Sequence, residues 1–131
     1  MHRYITAGLA VLACTGAATA SAQDATWDWK GTVAAGKSIE IKGVNGDVRA
    51  TAGSGSEVVV TAVKKGRKSD PASVKIEVVN SGAGVTICAV YPSSGKRANS
   101  CGAGNEGQMS TNDNDVSVSF SVQVPAGVKF V

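Results

Sequence analysis

Histidine is almost missing from this sequence: the only one is His2, and aromatic residues occupy 5% of the 131 positions. Without another histidine, a Ser-His-Asp or Cys-His catalytic arrangement is excluded from the rest of the chain. Strong charge is also lacking, because the formal net charge is only +3, which is too small to favour nucleic acid or an anionic membrane as a partner. No catalytic motif is present, so we predict a protein that is not an enzyme and carries no cofactor.

A long uninterrupted apolar run is also absent. Residues 1–22 combine an early basic residue, Arg3, with a short apolar middle and a small-residue end at Ala22. This layout is typical of a secretory signal peptide, and it is too broken to span a bilayer. We predict cleavage after Ala22, no transmembrane helix, and export to the periplasm, the outer membrane or the medium. Lipidation at Cys14 is a minor alternative, because Leu12 stands where such processing sites usually carry a small residue.

Cysteine is scarce: apart from Cys14, only Cys88 and Cys101 occur. In an exported protein such a pair favours a disulfide, whereas zinc would need four ligands and the mature chain offers no histidine. Closing this loop should stabilise the fold by about 3 kcal/mol in the chain-entropy model. We predict a structural disulfide between these two residues.

What the sequence has in abundance is glycine, at 16 positions, between short runs of Val, Ile and Thr. The clearest run, "DVSVSFSVQV", alternates apolar and polar residues, which predicts a strand with one buried face. Shorter runs of the same kind are "KSIEIKG", "DVRATA", "EVVVTAVKK", "VKIEVVN" and "GVTICAV". The sequence therefore predicts an all-β domain over residues 23–131. In "GVTICAV" the alternation places Cys88 on the face opposite Ile87, away from the core.

A partial repeat links two distant segments, "TVAAGKSIEI" and "QVPAGVKFV". The first copy is followed by "GVNGDV", in which Asn45-Gly46 would by itself predict a two-residue hairpin. The second copy runs to Val131 as a strand with no turn or polar end, and an unprotected edge of that kind is usually avoided. We therefore expect this chain to be the N-terminal part of a longer repeat protein that continues beyond residue 131.

Several motifs in order resemble one known family. Trp27-x-Trp29, "GVNGDVRA", "GVTICAVYP" and "NDNDVSVSFSVQVPAGV", preceded by the signal peptide, resemble the N-terminal part of bacterial envelope adhesin-like proteins with β-strand repeats. The resemblance implies a β-solenoid or β-roll of stacked strands, with "GVNGDV" as its first rung, meaning one coil of the stack. An antiparallel β-sandwich is the alternative. It also implies an adhesin-like structural and interaction scaffold, and it transfers no catalytic residues.

Two groups of residues are candidate ligand contacts for a surface glycan or another envelope component. Indole rings can stack against sugars, and a basic turn can hold a polyanion; a carbohydrate-binding or polyanion-binding module is therefore the alternative function. The structural explanation is that the two tryptophans cap the core and that the basic residues form a solvated turn. The candidates are Trp27, Trp29, Lys64, Lys65, Arg67 and Lys68.

Oxygen-bearing side chains cluster in "NEGQMSTNDND". Calcium needs six to eight oxygen ligands, but this spacing matches no known calcium loop, and Asn and Asp are common in turns for conformational reasons. We therefore predict no metal site. The oligomeric state is not predictable from these patterns.

Overall fold

The computed structural model describes residues 25–131, so the predicted signal peptide and Cys14 lie outside the described part. It contains eight strands and one short 3₁₀ turn, Pro71–Ser73. The strands are β1 (Thr26–Gly31), β2 (Ser38–Lys42), β3 (Val48–Ala52), β4 (Val58–Lys65), β5 (Lys75–Ser81), β6 (Gly84–Val90), β7 (Ser117–Val124) and β8 (Lys129–Phe130). The prediction of an all-β domain is confirmed.

The strands form two four-stranded sheets, with the orders β1-β4-β7-β3 and β5-β6-β2-β8. In the first sheet β4 is antiparallel to β1 and β7, whereas β3 is parallel to β7. In the second, β5 is antiparallel to β6, and β2 is parallel to both β6 and β8. These two mixed sheets fit a sandwich-like arrangement, although not a purely antiparallel one, and the predicted solenoid is not confirmed.

One hydrophobic core lies between the sheets. Alternating side chains of β4 and β7 face it from the first sheet, and those of β2 and β6 face it from the second, as period-two patterning requires. Phe120, Ile39 and Ile87 are the largest of the fully buried side chains. Burying an apolar side chain of this size contributes about 1.5–3 kcal/mol, so the core is the main source of stability.

The segment around Asn45-Gly46 is not a hairpin. It carries the chain from β2 in the second sheet to β3 in the first, and it runs beside the start of β7, where Asn45 O accepts the Val118 amide at 2.7 Å and Asp47 O accepts the Phe120 amide at 2.8 Å. Gly46 has φ 118°, and a Cβ there would lie 2.2 Å from Val118 O. Glycine is required because the backbone approaches β7 too closely for a side chain.

The sequence repeat corresponds to two turns that lie side by side. Gly36, between β1 and β2, donates its amide to the carbonyl of Gly127, between β7 and β8, at 2.8 Å. Both glycines have positive φ, 82° and 84°. The ladder continues where Lys129 N donates to Lys37 O at 2.9 Å. Similar local sequences have thus produced similar turns that hydrogen-bond to each other.

The long polar segment between β6 and β7 covers the outer face of the second sheet. The Cys88–Cys101 disulfide, with a Cα–Cα distance of 5.7 Å, ties it to β6. Cys88 lies opposite the core face, as predicted, yet it is buried together with its outer-face neighbour Thr86. The loop therefore makes β6 a strand buried on both faces.

Candidate functional site

The basic turn after β4 is held by a carboxylate that lies far away in sequence. Asp115 Oδ1 accepts the amides of Arg67 at 3.2 Å and Ser69 at 3.0 Å, and Oδ2 accepts the amide of Lys68 at 2.9 Å. Hydrogen bonds from Ser69, then Lys68 and Arg67, lower the pKa of Asp115 because they stabilise its charged form. Three consecutive amides converge on this carboxylate, so it fixes the backbone of the turn.

An open cleft of about 970 Å³ lies beside this turn. Lys65, Arg67 and Lys68 line it on one side, and their side chains are exposed. The other side contains amides, carboxylates and a hydroxyl, from Asn45, Asp113, Asn114, Asp115 and Ser117. The cleft is therefore a polar, mixed-charge surface that is suited to a hydrated ligand carrying negative groups.

Lys64 does not line this cleft. It is 8% exposed, and its Nζ donates to Val74 O at 2.9 Å. The alternation of β4 turns Lys64 inward and Lys65 outward. Of the four basic residues that the sequence singles out, the structure thus brings three to the cleft and uses Lys64 inside the fold.

Trp27 and Trp29 lie on β1, at the opposite edge of the first sheet from β3. They pair with Ala62 and Val60 of β4, whose side chains face the core, so both indoles face inward and pack against the core. The Trp29 ring also covers Gly31, where a Cβ would lie 2.5 Å from Cζ2. Both rings stay partly exposed. They cover one end of the core, and they lie on a different strand from the basic cleft.

Sequence reasoning missed the environment of Lys42. Its Nζ donates to three backbone carbonyls, those of Gly102 at 2.6 Å, Gly104 at 2.6 Å and Glu106 at 3.1 Å. Next to it, Glu40 Oε1 accepts the Gly104 amide at 3.0 Å. An ammonium group and a carboxylate on β2 thus organise a loop about sixty residues later. The only sequence signal is the density of glycines in that loop, which permits carbonyls to converge.

The acid and amide residues considered for calcium are used in other ways. Asn114 Oδ1 accepts the Val116 amide at 3.0 Å, and its Nδ2 donates to Ser73 Oγ at 3.1 Å. Asp115 holds the basic turn, as described above. Within residues 25–131, no group of three or more His, Cys, Asp or Glu side chains is arranged to hold a metal ion.

No protein-family model, curated protein or solved structure matches this chain. In the described residues, no helix has the length and apolar character needed to cross a bilayer. The Cys88–Cys101 disulfide indicates an oxidising compartment, such as those that exported proteins enter. The fold, the cleft and the disulfide are therefore the observations on which a functional proposal has to rest.

Proposed function

We propose that this protein is a non-enzymatic, exported cell-envelope scaffold of the adhesin-like kind, which presents a fixed loop surface to a surface glycan or another envelope component. The observation that carries the proposal is the segment between β6 and β7. It has little regular structure, yet a disulfide and the Lys42 ammonium fix it to the sheet, and the Asn99 side chain joins two parts of the segment through Tyr91 O and Ser110 O. A preorganised loop loses less conformational entropy on binding than a free one.

The stacked-strand architecture of such scaffolds forms part of the proposal. Its support is the pair of stacked turns at Gly36 and Gly127, together with the parallel pairing of β2 with β8 and of β3 with β7. Each stacked unit in a repeat protein buries its neighbour's apolar edge. In this view "GVNGDV" belongs to the first rung, because it carries the chain from β2 in one sheet to β3 in the other.

The first experiment is fractionation of cells that express the native gene, followed by intact-mass measurement of the protein. Recovery from the envelope or the medium, with a chain that starts at Gln23, supports export. Addition of two alkyl groups only after reduction supports the disulfide. A cytoplasmic protein that retains residues 1–22 would overturn the proposal.

The presented surface is then tested with the purified protein on an array of bacterial surface glycans. The exposed tip of the loop, residues 92–98, carries Lys96 and Arg97. Replacing both with Gln should reduce binding without altering the fold, because their side chains are exposed. Binding that is unchanged after this replacement would show that the loop tip is not the contact surface.

A second candidate function is favoured by the basic cleft: binding of an anionic glycan at Lys65, Arg67 and Lys68. The test is a triple replacement of these residues with Gln. The matched control replaces Lys30, Lys75 and Lys129, which are exposed outside both the cleft and the loop tip, and so removes the same charge. Loss of binding in the first variant alone supports the cleft, whereas equal loss in both indicates attraction by overall charge.

The two tryptophans are tested separately. Because both pack against the core, Trp27→Phe and Trp29→Phe keep most of the apolar contact and remove the indole. Glycan binding that collapses while the fold is intact would support sugar stacking on β1. Unchanged binding would leave the two side chains with a role in covering the core only.

A further inference from the structure

The tip of the loop between β6 and β7 carries two adjacent basic residues, Lys96 and Arg97. All of residues 92–98 are exposed. The neighbours of the basic pair are small or polar, since the segment reads "SSGKRANS". Exposed loop tips of this composition are the preferred sites of proteolytic nicking in folded proteins. The tip is therefore a candidate site for a protease that recognises basic residues.

The backbone at this pair lacks the constraints that apply to every other Lys and Arg in residues 25–131. Most of those residues lie in strands, which are held by pairing with a neighbouring strand. Outside the strands, the Lys37 amide donates to Ala34 O at 3.0 Å. The amides of Arg67 and Lys68 donate to the Asp115 carboxylate. A protease has to draw the substrate backbone into its own cleft, so an unpaired segment is cut without unfolding, whereas a paired one has to open first.

The chain before the tip is anchored at its base. Asn99 Nδ2 donates to Tyr91 O at 3.0 Å and to Pro92 O at 3.2 Å. The Asn99 amide donates to Ser93 Oγ at 2.9 Å. Tyr91 is only 2% exposed, and its hydroxyl donates to Val116 O at 2.6 Å. The upstream side of the tip is therefore fixed to the core through Tyr91.

The chain after the tip is held independently. Ser100 and Gln108 exchange backbone hydrogen bonds of 2.8 and 3.1 Å. Cys101 is bonded to Cys88 of β6. Because this disulfide joins the chain before the tip to the chain after it, a cut within the tip would leave both new ends covalently linked and anchored.

The tip also lies apart from the strand edge at which residue 131 is found. It follows β6, which lies between β5 and β2 in the second sheet. Strand β8 lies on the far side of β2. A segment that continues beyond residue 131 would therefore start beyond β2, away from the strand that leads into the tip.

We propose that the tip is a processing site, which an endoprotease of trypsin-like specificity cuts after Lys96 or Arg97 while the domain stays folded. Such a protease holds a basic side chain against an aspartate at the base of its specificity pocket. One water is consumed. Its hydroxyl joins the carbonyl carbon of the basic residue, the C–N bond breaks, and its remaining hydrogen passes to the nitrogen, which becomes a new amino group.

The product is a two-chain protein joined by the Cys88–Cys101 disulfide. Processing would change the loop surface and leave the two sheets in place. The proposal does not depend on glycan binding, because it rests on the backbone of the tip and on the anchors at its base.

Limited digestion of the folded, purified protein with a low ratio of trypsin tests the site. The first cut should fall in the tip and create a new N-terminus at Arg97 or Ala98. The mass should increase by one water, and the product should separate into two chains only on reduction. A first cut elsewhere in residues 25–131, or resistance of the folded protein, would overturn the proposal. A stable complex with an uncut tip would instead make the loop an inhibitor of the protease, which also overturns it.

A pair of matched variants tests recognition of the tip. Lys96→Gln with Arg97→Gln should abolish this cut without altering the fold, because both side chains are exposed. Lys30→Gln with Lys75→Gln removes the same charge from exposed positions in β1 and β5 and should leave the cut unchanged. Equal slowing in both variants would indicate attraction by overall charge and would count against the proposal.

A core variant separates cleavage of the folded protein from cleavage of unfolded molecules. Val60 is 0% exposed and lies in β4, outside the tip. Val60→Ala should therefore accelerate any digestion that requires global unfolding on the order of tenfold or more. The initial rate of the tip cut should stay within about twofold, because the tip does not have to unfold. Acceleration of the tip cut to the same extent as global digestion would show that the folded protein is not the substrate.

Discussion

At the scale of single residues, Asp115 shows how one carboxylate organises the candidate cleft. It brings the chain before β7 against the turn after β4 and accepts hydrogen bonds from the amides of Arg67, Lys68 and Ser69. Without these bonds the three amides would have to be hydrated, and the turn would sample other conformations. The position of the basic side chains therefore depends on an acidic one.

Replacement of Asp115 with Asn should loosen this turn. We expect faster hydrogen exchange at the amides of Arg67, Lys68 and Ser69 and a lower denaturation midpoint at neutral pH. The control is Asp113→Asn, because Asp113 has φ 54° and Asn also tolerates that region. Equal effects of the two substitutions would show that charge in the cleft, and not the hydrogen bonds of Asp115, holds the turn.

The pH dependence of that effect has a definite sign. The pKa of Asp115 is lower in the folded protein than its usual value of 3.8. Its contribution to stability is therefore complete above the unfolded pKa and is lost as the pH falls through the folded pKa. The difference in stability between the native protein and Asp115→Asn should be constant near neutral pH and should shrink below about pH 4. A difference that grows on acidification would contradict this account.

Lys42 is the second residue whose removal should have a measurable effect. Lys42→Met keeps the aliphatic stem but leaves three carbonyls without their ammonium donor. Partial exposure lets water replace some of these bonds, so we expect a loss of about 1–2 kcal/mol in the free energy of unfolding. Lys37→Met is the matched control, since Lys37 donates only to the exposed Gly82 carbonyl. A loss of similar size in both variants would contradict a special role for Lys42.

At the scale of elements, alternation in the sequence was sufficient to find six of the eight strands in the described residues, β2 to β7. β7 is predicted as a strand because apolar and polar residues alternate in its sequence. In the structure its buried and exposed residues alternate in the same way. Period-two patterning reports which residues share a face, but it does not report which sheet a strand joins. Asn45-Gly46 was therefore compatible with a hairpin, and only the close approach of Gly46 to β7 shows that the chain crosses between sheets.

The loop over the second sheet was beyond prediction for a different reason. Its contacts join Lys42 and Glu40 to residues about sixty positions away, and no local pattern encodes such a pairing. The disulfide was predictable because two features of the sequence argue against other roles for the cysteines. The mature chain has no histidine for a zinc site, and the predicted export would place the pair in an oxidising compartment. In the candidate cleft, the basic run was visible in the sequence, whereas the dependence of the turn on Asp115 was not.

The disulfide gives a prediction at this scale. Replacing Cys88 and Cys101 together with Ala should lower the free energy of unfolding by about 3 kcal/mol, because the unfolded chain regains the entropy of an open loop. Chemical denaturation of the double variant measures this loss, and the native protein under reducing conditions should match it. Full stability in the variant would show that Lys42 and Asn99 fix the loop without the covalent link.

At the scale of the whole molecule, the single core makes the two sheets interdependent. Each sheet buries its apolar face only against the other sheet, because β4 and β7 supply one side of the core and β2 and β6 supply the other. Small domains with one core usually unfold in an all-or-none transition. The fixed loop and the basic cleft, to which the end of that loop contributes Asp113 and Asp115, should therefore be lost together when the domain unfolds.

Matched core substitutions in the two sheets test this coupling. Val60→Ala removes buried methyl groups from the first sheet and should cost about 2 kcal/mol, whereas Ile87→Val removes one from the second and should cost about 1 kcal/mol. Because both residues are 0% exposed in the same core, each substitution should lower the protection of the slowest-exchanging amides equally in both sheets. The measurement is native-state hydrogen exchange of β4 and β6 amides in the two variants, with Thr61→Ser, which lies on the outer face of β4 next to Val60, as a control of small effect. If Val60→Ala lowered protection in β4 alone and Ile87→Val in β6 alone, the sheets would be separate cooperative units, and the loop could then open while the cleft stayed intact.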